Sequence, residues 1–196
     1  MIRLAMMIVF GMSVLLAADE GGFAKDREAK ERSLASFRSL GDQWMVVLVT
    51  GTLARTCFLA GDYSAARGFM REAVKLGRAL GNKWAVPYAI EGLADICAKE
   101  NQAQKAVQLY GAASALREAL GLSFSASERT SYQSALDQLH ERVADESFNR
   151  EWERGRSLRL QEAVELAMEA ETPKRPAARR KRQAVKEKTE TRKVES

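Results

Sequence analysis

Gly41-Asp42-Gln43-Trp44 opens a segment that closes on Ala79-Leu80-Gly81, and Gly81-Asn82-Lys83-Trp84 opens a second that closes on Ala119-Leu120-Gly121. Residues 41–121 are therefore one unit of about 40 residues written twice. A fixed period of this size marks stacked supersecondary units, none of which can bury its apolar face alone. The rest of the chain is best read outward from this tandem.

Within the first copy, Met45 to Leu59 is apolar without strand-like alternation and breaks at Gly61-Asp62. Ala66, Met70, Ala73, Val74 and Leu80 then recur at helical spacing, which predicts a second helix. Gly61 suits the left-handed turn that ends one helix, and Asp62 suits the N-cap of the next. The second copy places Asn101 at the equivalent turn, and Asn enters the left-handed region at small cost. Its Pro87 falls in the first turn of a helix, where proline is tolerated. Small side chains recur where helices must cross: Leu53-Ala54 with Cys57 matches Leu93-Ala94 with Cys97, and Ala66 and Ala73 match Ala106 and Ala113. The bulky Met70 becomes Tyr110, a filler beside the close approach.

Few β-branched runs and three prolines favour helix over strand. The net charge of +5 is unevenly placed. Residues 171–196 hold ten Lys/Arg against four Asp/Glu, so the basic character belongs to this segment and the body is close to neutral. It has little to bury and is expected to be disordered. Lys174, Arg175, Arg179, Arg180, Lys181 and Arg182 form its basic run, which could associate with nucleic acid through phosphates. No aromatic residues are interleaved for stacking, so a solvated segment is the plainer reading. Cys57 and Cys97 share a repeat position, which makes them packing residues rather than a disulfide framework. One histidine and no CxxC or HExxH spacing imply neither metal nor cofactor, and no nucleophile–base constellation implies an enzyme. His140 is expected to be structural.

Residues 1–18 read in two ways. A basic start and an apolar centre suit a signal peptide of an exported protein, although Leu16 is poorly placed for cleavage before Asp19. The repeat phase instead sets Gly21-Gly22-Phe23 under Gly61-Asp62-Tyr63, making Leu4–Ala18 the first helix of an earlier, degraded unit with its partner at Phe23–Leu40. The repeat reading is preferred, with no membrane span and a cytoplasmic location. In that unit Asp26 stands where Ala is expected and Lys30 where a bulky apolar residue is expected.

After Gly121 the period is expected to stop. Ser125 followed by Glu128 is a capping box that starts a new helix, with Tyr132, Ala135, Leu136, Leu139 and Val143 on its apolar face. Asp145–Trp152 is expected to form a short helix ended by Gly155, and Leu160–Met168 another. Such helices can cover the open end of a stack.

The spacing Leu53-Ala54-x-x-Cys57, Gly61-Asp62-Tyr63, Ala66, Met70, and again Leu93-Ala94-x-x-Cys97, Ala106, Tyr110, resembles the tetratricopeptide repeat. The period is 40 rather than 34 residues, and no Pro closes the unit. Leu109-Tyr110-Gly111-Ala112-Ala113, Leu116 to Gly121, Glu128-Arg129, Tyr132, Phe148, Trp152, Gly155-Arg156 and Glu162-Ala163 further resemble the C-terminal arm of LuxR-type and related bacterial signal-transduction ATPases. Ala144 and Arg159 depart from that pattern. The resemblance implies an all-α tetratricopeptide-type solenoid over residues 1–122, capping helices over 123–170 and the basic segment over 171–196. It also implies a non-catalytic sensing or protein-interaction module of a transcriptional regulator. ATP hydrolysis is not implied, because the chain has no GxxxxGK[ST] phosphate loop.

In tetratricopeptide proteins the groove is lined by outward positions of each unit's first helix. Matched by phase, these are Leu48, Gly51, Arg55 and Phe58, then Tyr88, Glu91, Asp95 and Ala98. Arg55, Phe58, Tyr88, Glu91 and Asp95 are thereby candidates to hold a protein, a peptide or a small effector. Trp44 and Trp84, in phase, are expected to pack at repeat junctions.

Overall fold

The structure is a computed structural model that describes residues 20–169. Every element among them is a helix: α1 Glu20–Ser39, α2 Gln43–Leu59, α3 Tyr63–Ala79, α4 Ala85–Lys99, α5 Ala103–Ala119, α6 Ala126–His140, α7 Asp145–Arg156 and α8 Leu160–Met168. The segments 1–18 and 171–196, with Lys174, Arg175, Arg179, Arg180, Lys181 and Arg182, lie outside the described residues.

The turns follow a stricter rhythm than the sequence repeat. A left-handed residue recurs every twenty positions: Gly41 (φ 70°), Gly61 (78°), Gly81 (61°), Asn101 (64°) and Gly121 (65°). After each, an amide bonds back across the turn, as in Asp62 N to Cys57 O (2.9 Å) and Gln102 N to Cys97 O (2.9 Å), satisfying carbonyls that the helix end leaves open. After the first three turns a side chain caps the next helix at once. Asp42 accepts from Met45 N and Asp62 from Ala65 N, both at 3.0 Å, while Asn82 accepts from Trp84 N and Ala85 N at 3.1 Å.

Asp62 does two jobs, because its second oxygen accepts from Arg27 of α1 at 2.9 Å. Asp62→Ala is expected to lose about 1–2 kcal/mol of cap stabilisation. Asp62→Asn keeps the cap and loses only a half-exposed ion pair, worth at most about 1 kcal/mol. Urea melts of the two variants separate the contributions.

Consecutive helices from α1 through α5 pack on one another, and α2 and α4 also meet side by side. The core runs through this stack in repeating form: Leu53, Ala54 and Cys57 on α2, Ala66, Met70 and Ala73 on α3, then Leu93, Ala94 and Cys97 on α4, and Ala106, Tyr110 and Ala113 on α5. Both cysteines are free and buried, and burial pushes their thiols above the usual range. In α1 the expected turn at Gly21-Gly22 is absent, since the helix runs through both from Glu20. Its misfit residues form a polar seam instead. Lys30 Nζ donates to Asp26 (2.5 Å) and to Thr56 Oγ1 (3.0 Å), and Thr56 in turn donates to Asp26 (2.7 Å).

Beyond Gly121 the helices keep the register of the preceding unit to within three residues, but the packing changes. Position 141, next in the series of left-handed turns, is Glu141 with φ −65°. Helix α6 then touches α5 only at its edge, and Leu139 is its one buried residue. Helix α7 lies directly across α5 instead. Gly155, expected to end a helix at Trp152, is inside α7, which continues to Arg156. A Cβ there would overlap the carbonyl oxygen of Gln108, and one on Gly111 would overlap that of Trp152, so two glycines bring the backbones together. Arg156 clamps the crossing with 2.8 Å bonds to both Glu118 oxygens. Helix α8 packs across α3, α4 and α5 through Ala163, Val164 and Ala167. Its N-terminus lacks a capping hydroxyl at Arg159, and Glu162 accepts the Arg159 backbone N–H at 2.8 Å instead.

Candidate functional site

The helices line an open cavity of about 330 Å³, to which α1 and α6 both contribute. The volume falls in the range of small-ligand sites. Its long walls come from α2 and α4, with Met70 of α3 and Tyr110 and Arg117 of α5 behind them. Ser125 and Glu128 fix the α6 end through a complete capping box, with Ser125 N donating to Glu128 at 2.8 Å and Glu128 N donating to Ser125 Oγ at 3.3 Å.

Of the residues placed in the groove by phase, Arg55, Tyr88, Glu91 and Asp95 line this cavity together. Phe58 does not. Its ring packs against Tyr63, 5.6 Å between centroids, and carries the Arg55 guanidinium 5.1 Å from its own. One turn separates Arg55 from Phe58, and the aromatic ring turns toward α3 and the core rather than the opening. Gly51 lies under the Tyr88 ring, where a Cβ would sit 3.3 Å from Tyr88 Cε1, so its lack of a side chain lets α4 bring that ring against α2.

Two ion pairs cross the site. Arg55 Nη1 meets Asp95 Oδ2 at 3.2 Å, and the Tyr110 hydroxyl donates to Asp95 Oδ1 at 2.5 Å. Arg117 grips Glu91 with two bonds, one through Nε and one through Nη2 at 2.9 Å, and lies 4.1 Å from the Phe124 ring centroid. Burial raises the carboxyls of Glu91 and Asp95 above their ordinary range, opposed by Arg117 at the first and Arg55 at the second. Burial also pushes Tyr132 up to about 12.

Arg117, Tyr110, Glu128 and Tyr132 also line the cavity, although their sequence positions pointed to packing or capping rather than to a site. Tyr110 reads as a core filler because it is in phase with Met70, and only its hydroxyl reaches the site. Arg117 had a signal, since it replaces Gly77 of the preceding unit. Tyr132 had a clearer one. It is in phase with Gly92, whose lack of a Cβ lets Met70 of α3 press against α4. With a tyrosine there, its ring meets Tyr110 edge-on at 5.4 Å, filling the place where two helices would otherwise close. The space left beside this wedge is the α6 end of the cavity.

Trp84 stacks on Tyr88 at 4.8 Å, whereas Trp44, expected at a repeat junction, is 46% exposed. His140 stacks on Phe148 with centroids 3.5 Å apart. Among the described residues no group of three His, Cys, Asp or Glu side chains could hold a metal ion, and no helix is long and apolar enough to cross a membrane.

The chain is similar to proteins named as HTH-type transcriptional regulators in two strains of Mycobacterium tuberculosis and in Mycobacterium bovis. In each the identity is 30% over 135 residues, covering 68% of this chain and 15% of the relative. The chain thus spans about 15% of the length of these relatives. No family model and no solved structure matches it.

Proposed function

We propose that the chain is a non-catalytic binding module, a tetratricopeptide-type solenoid that serves as the sensing arm of a LuxR-type bacterial transcriptional regulator in the cytoplasm. Residues 1–122 would carry the repeats, 123–170 would close the stack, and 171–196 would add a basic segment. The observation that carries this reading is the convergence of Arg55, Tyr88, Glu91 and Asp95 on one cavity. Sites of this kind combine apolar walls with a few convergent polar groups. The likeness to proteins named as transcriptional regulators supports the regulatory setting. A peptide or small effector held there would change the partner surface of the arm.

The test uses Ser131, an exposed α6 residue on the cavity wall. Ser131→Trp fills the opening without touching the core, so far-ultraviolet circular dichroism should be unchanged. Proteins or effectors recovered on the wild-type chain should be retained at least about tenfold less well by the variant. Undiminished capture refutes the cavity as the working site.

A further inference from the structure

Resting on that reading of the cavity, we infer that its ligand is a small organic cation: an ammonium or guanidinium group on an apolar, ring-sized body. Four carboxylates stand on the wall, Asp26, Glu91, Asp95 and Glu128, against two guanidiniums, Arg55 and Arg117. Lys30 pairs with Asp26 at 2.5 Å, Arg55 pairs with Asp95, and Arg117 bonds Glu91 through Nε and Nη2. Glu128 is left as the wall carboxylate without an ion-pair partner among the described residues. One oxygen accepts the Ser125 amide at 2.8 Å, and the other remains available.

The electrostatics of the neighbours agree with this count. Glu91 is raised first by burial, and Asp95 and Glu128 raise it further by repulsion. Tyr88 is raised by burial and then by Asp95, Glu91 and Glu128, with Arg55 opposing. Arg117 offsets much of this, because it attracts Glu128 as well as Glu91, and a cation placed between the two carboxylates relieves the remainder. The walls suit the body of such a ligand, because Tyr88, Tyr132 and Phe124 line them, and aromatic rings attract cations. Phe124 already does this for Arg117. A volume of about 330 Å³ suits a compact molecule.

The experiment is isothermal titration of the full chain with three probes of one shape: phenylpropylammonium, phenylpropanol and phenylpropanoate. The ammonium should bind at least about tenfold tighter than the alcohol, and the carboxylate should not bind. Glu128→Gln keeps the capping box, in which Gln replaces Glu well. It should weaken the ammonium about tenfold while leaving the alcohol unchanged. Equal binding of all three probes, no binding by any, or an ammonium affinity indifferent to Glu128→Gln overturns the inference. So does a peptide of residues 171–196 that outcompetes the ammonium, which would assign the site to the chain's own basic segment. Preference for the carboxylate, lost in Ser131→Trp, would sink the cation while leaving the cavity as a binding site. The wider functional reading falls only with undiminished capture by Ser131→Trp.

Discussion

Replacing Gly155 by Ala is expected to cost about 3 kcal/mol, the upper end of the usual range for over-packing. An Ala in a helix interior normally gains up to about 1 kcal/mol over Gly, so the sign itself is diagnostic. The new Cβ would overlap the Gln108 carbonyl oxygen and lie 2.9 Å from Ala112 N. Both are backbone atoms of α5, which no rotamer change can move, so α7 must lift off and take the Arg156–Glu118 clamp with it. For a chain of this size the loss corresponds to a fall in Tm of about 6–12 °C. Gly68→Ala is the control. That glycine is exposed in α3 with nothing within 4 Å of a Cβ, and its replacement should stabilise. Thermal melts in which Gly155→Ala matches Gly68→Ala would show that the crossing is not a backbone contact.

Arg117→Met should be the most damaging substitution in the cavity. It strands Glu91, whose side chain is 13% exposed, and breaking one side of a buried pair costs about 3–5 kcal/mol. The loss carries a pH signature. Burial already holds the Glu91 pKa above its unfolded value, and removing Arg117 raises it further. A group with a raised folded pKa contributes its stability below the unfolded value and loses it as pH rises through the folded one. The deficit against wild type should therefore be largest at neutral and alkaline pH and shrink on acidification through the carboxylate range. Denaturant melts at pH 8 and pH 5, values chosen to bracket the shift upward from about 4.3, measure it. Glu91→Leu added to Arg117→Met should recover most of the loss, because an apolar pair of similar volume can replace a buried ion pair. A deficit independent of pH would mean that Arg117 acts only through its packing on Phe124.

The helical repeat was legible because its signals are local. Gly61 and Asn101 mark turns by backbone chemistry alone, and Asp62 and Ser125 mark caps. Gly155 shows where local reading fails. A glycine near a helix end reads as a terminator, yet this one is demanded by a partner helix more than 40 residues away. The same limit applies to the cavity. Phase alone brought Arg55, Tyr88, Glu91 and Asp95 to one face, because they share a helical stripe. It could not tell that Phe58 turns inward, nor that Arg117 reaches across from α5 to Glu91. The α6 wall was hidden for a different reason: the register persists after Gly121 while the packing does not. Only a comparison of Tyr132 with Gly92, position against position, reveals the wedge.

The rhythm of left-handed residues has a consequence for how the molecule can grow. A duplicated block cut at any two of the turns between Gly41 and Gly121 that lie forty residues apart brings its own turn, cap and seat, so the array can lengthen internally. Against α5 it meets an obstacle. The face of α5 that would receive another unit is already taken by α7, at a distance only glycine permits. The fold is thus open to gene duplication between Gly41 and Gly121, whereas the α5 face is occupied by α7.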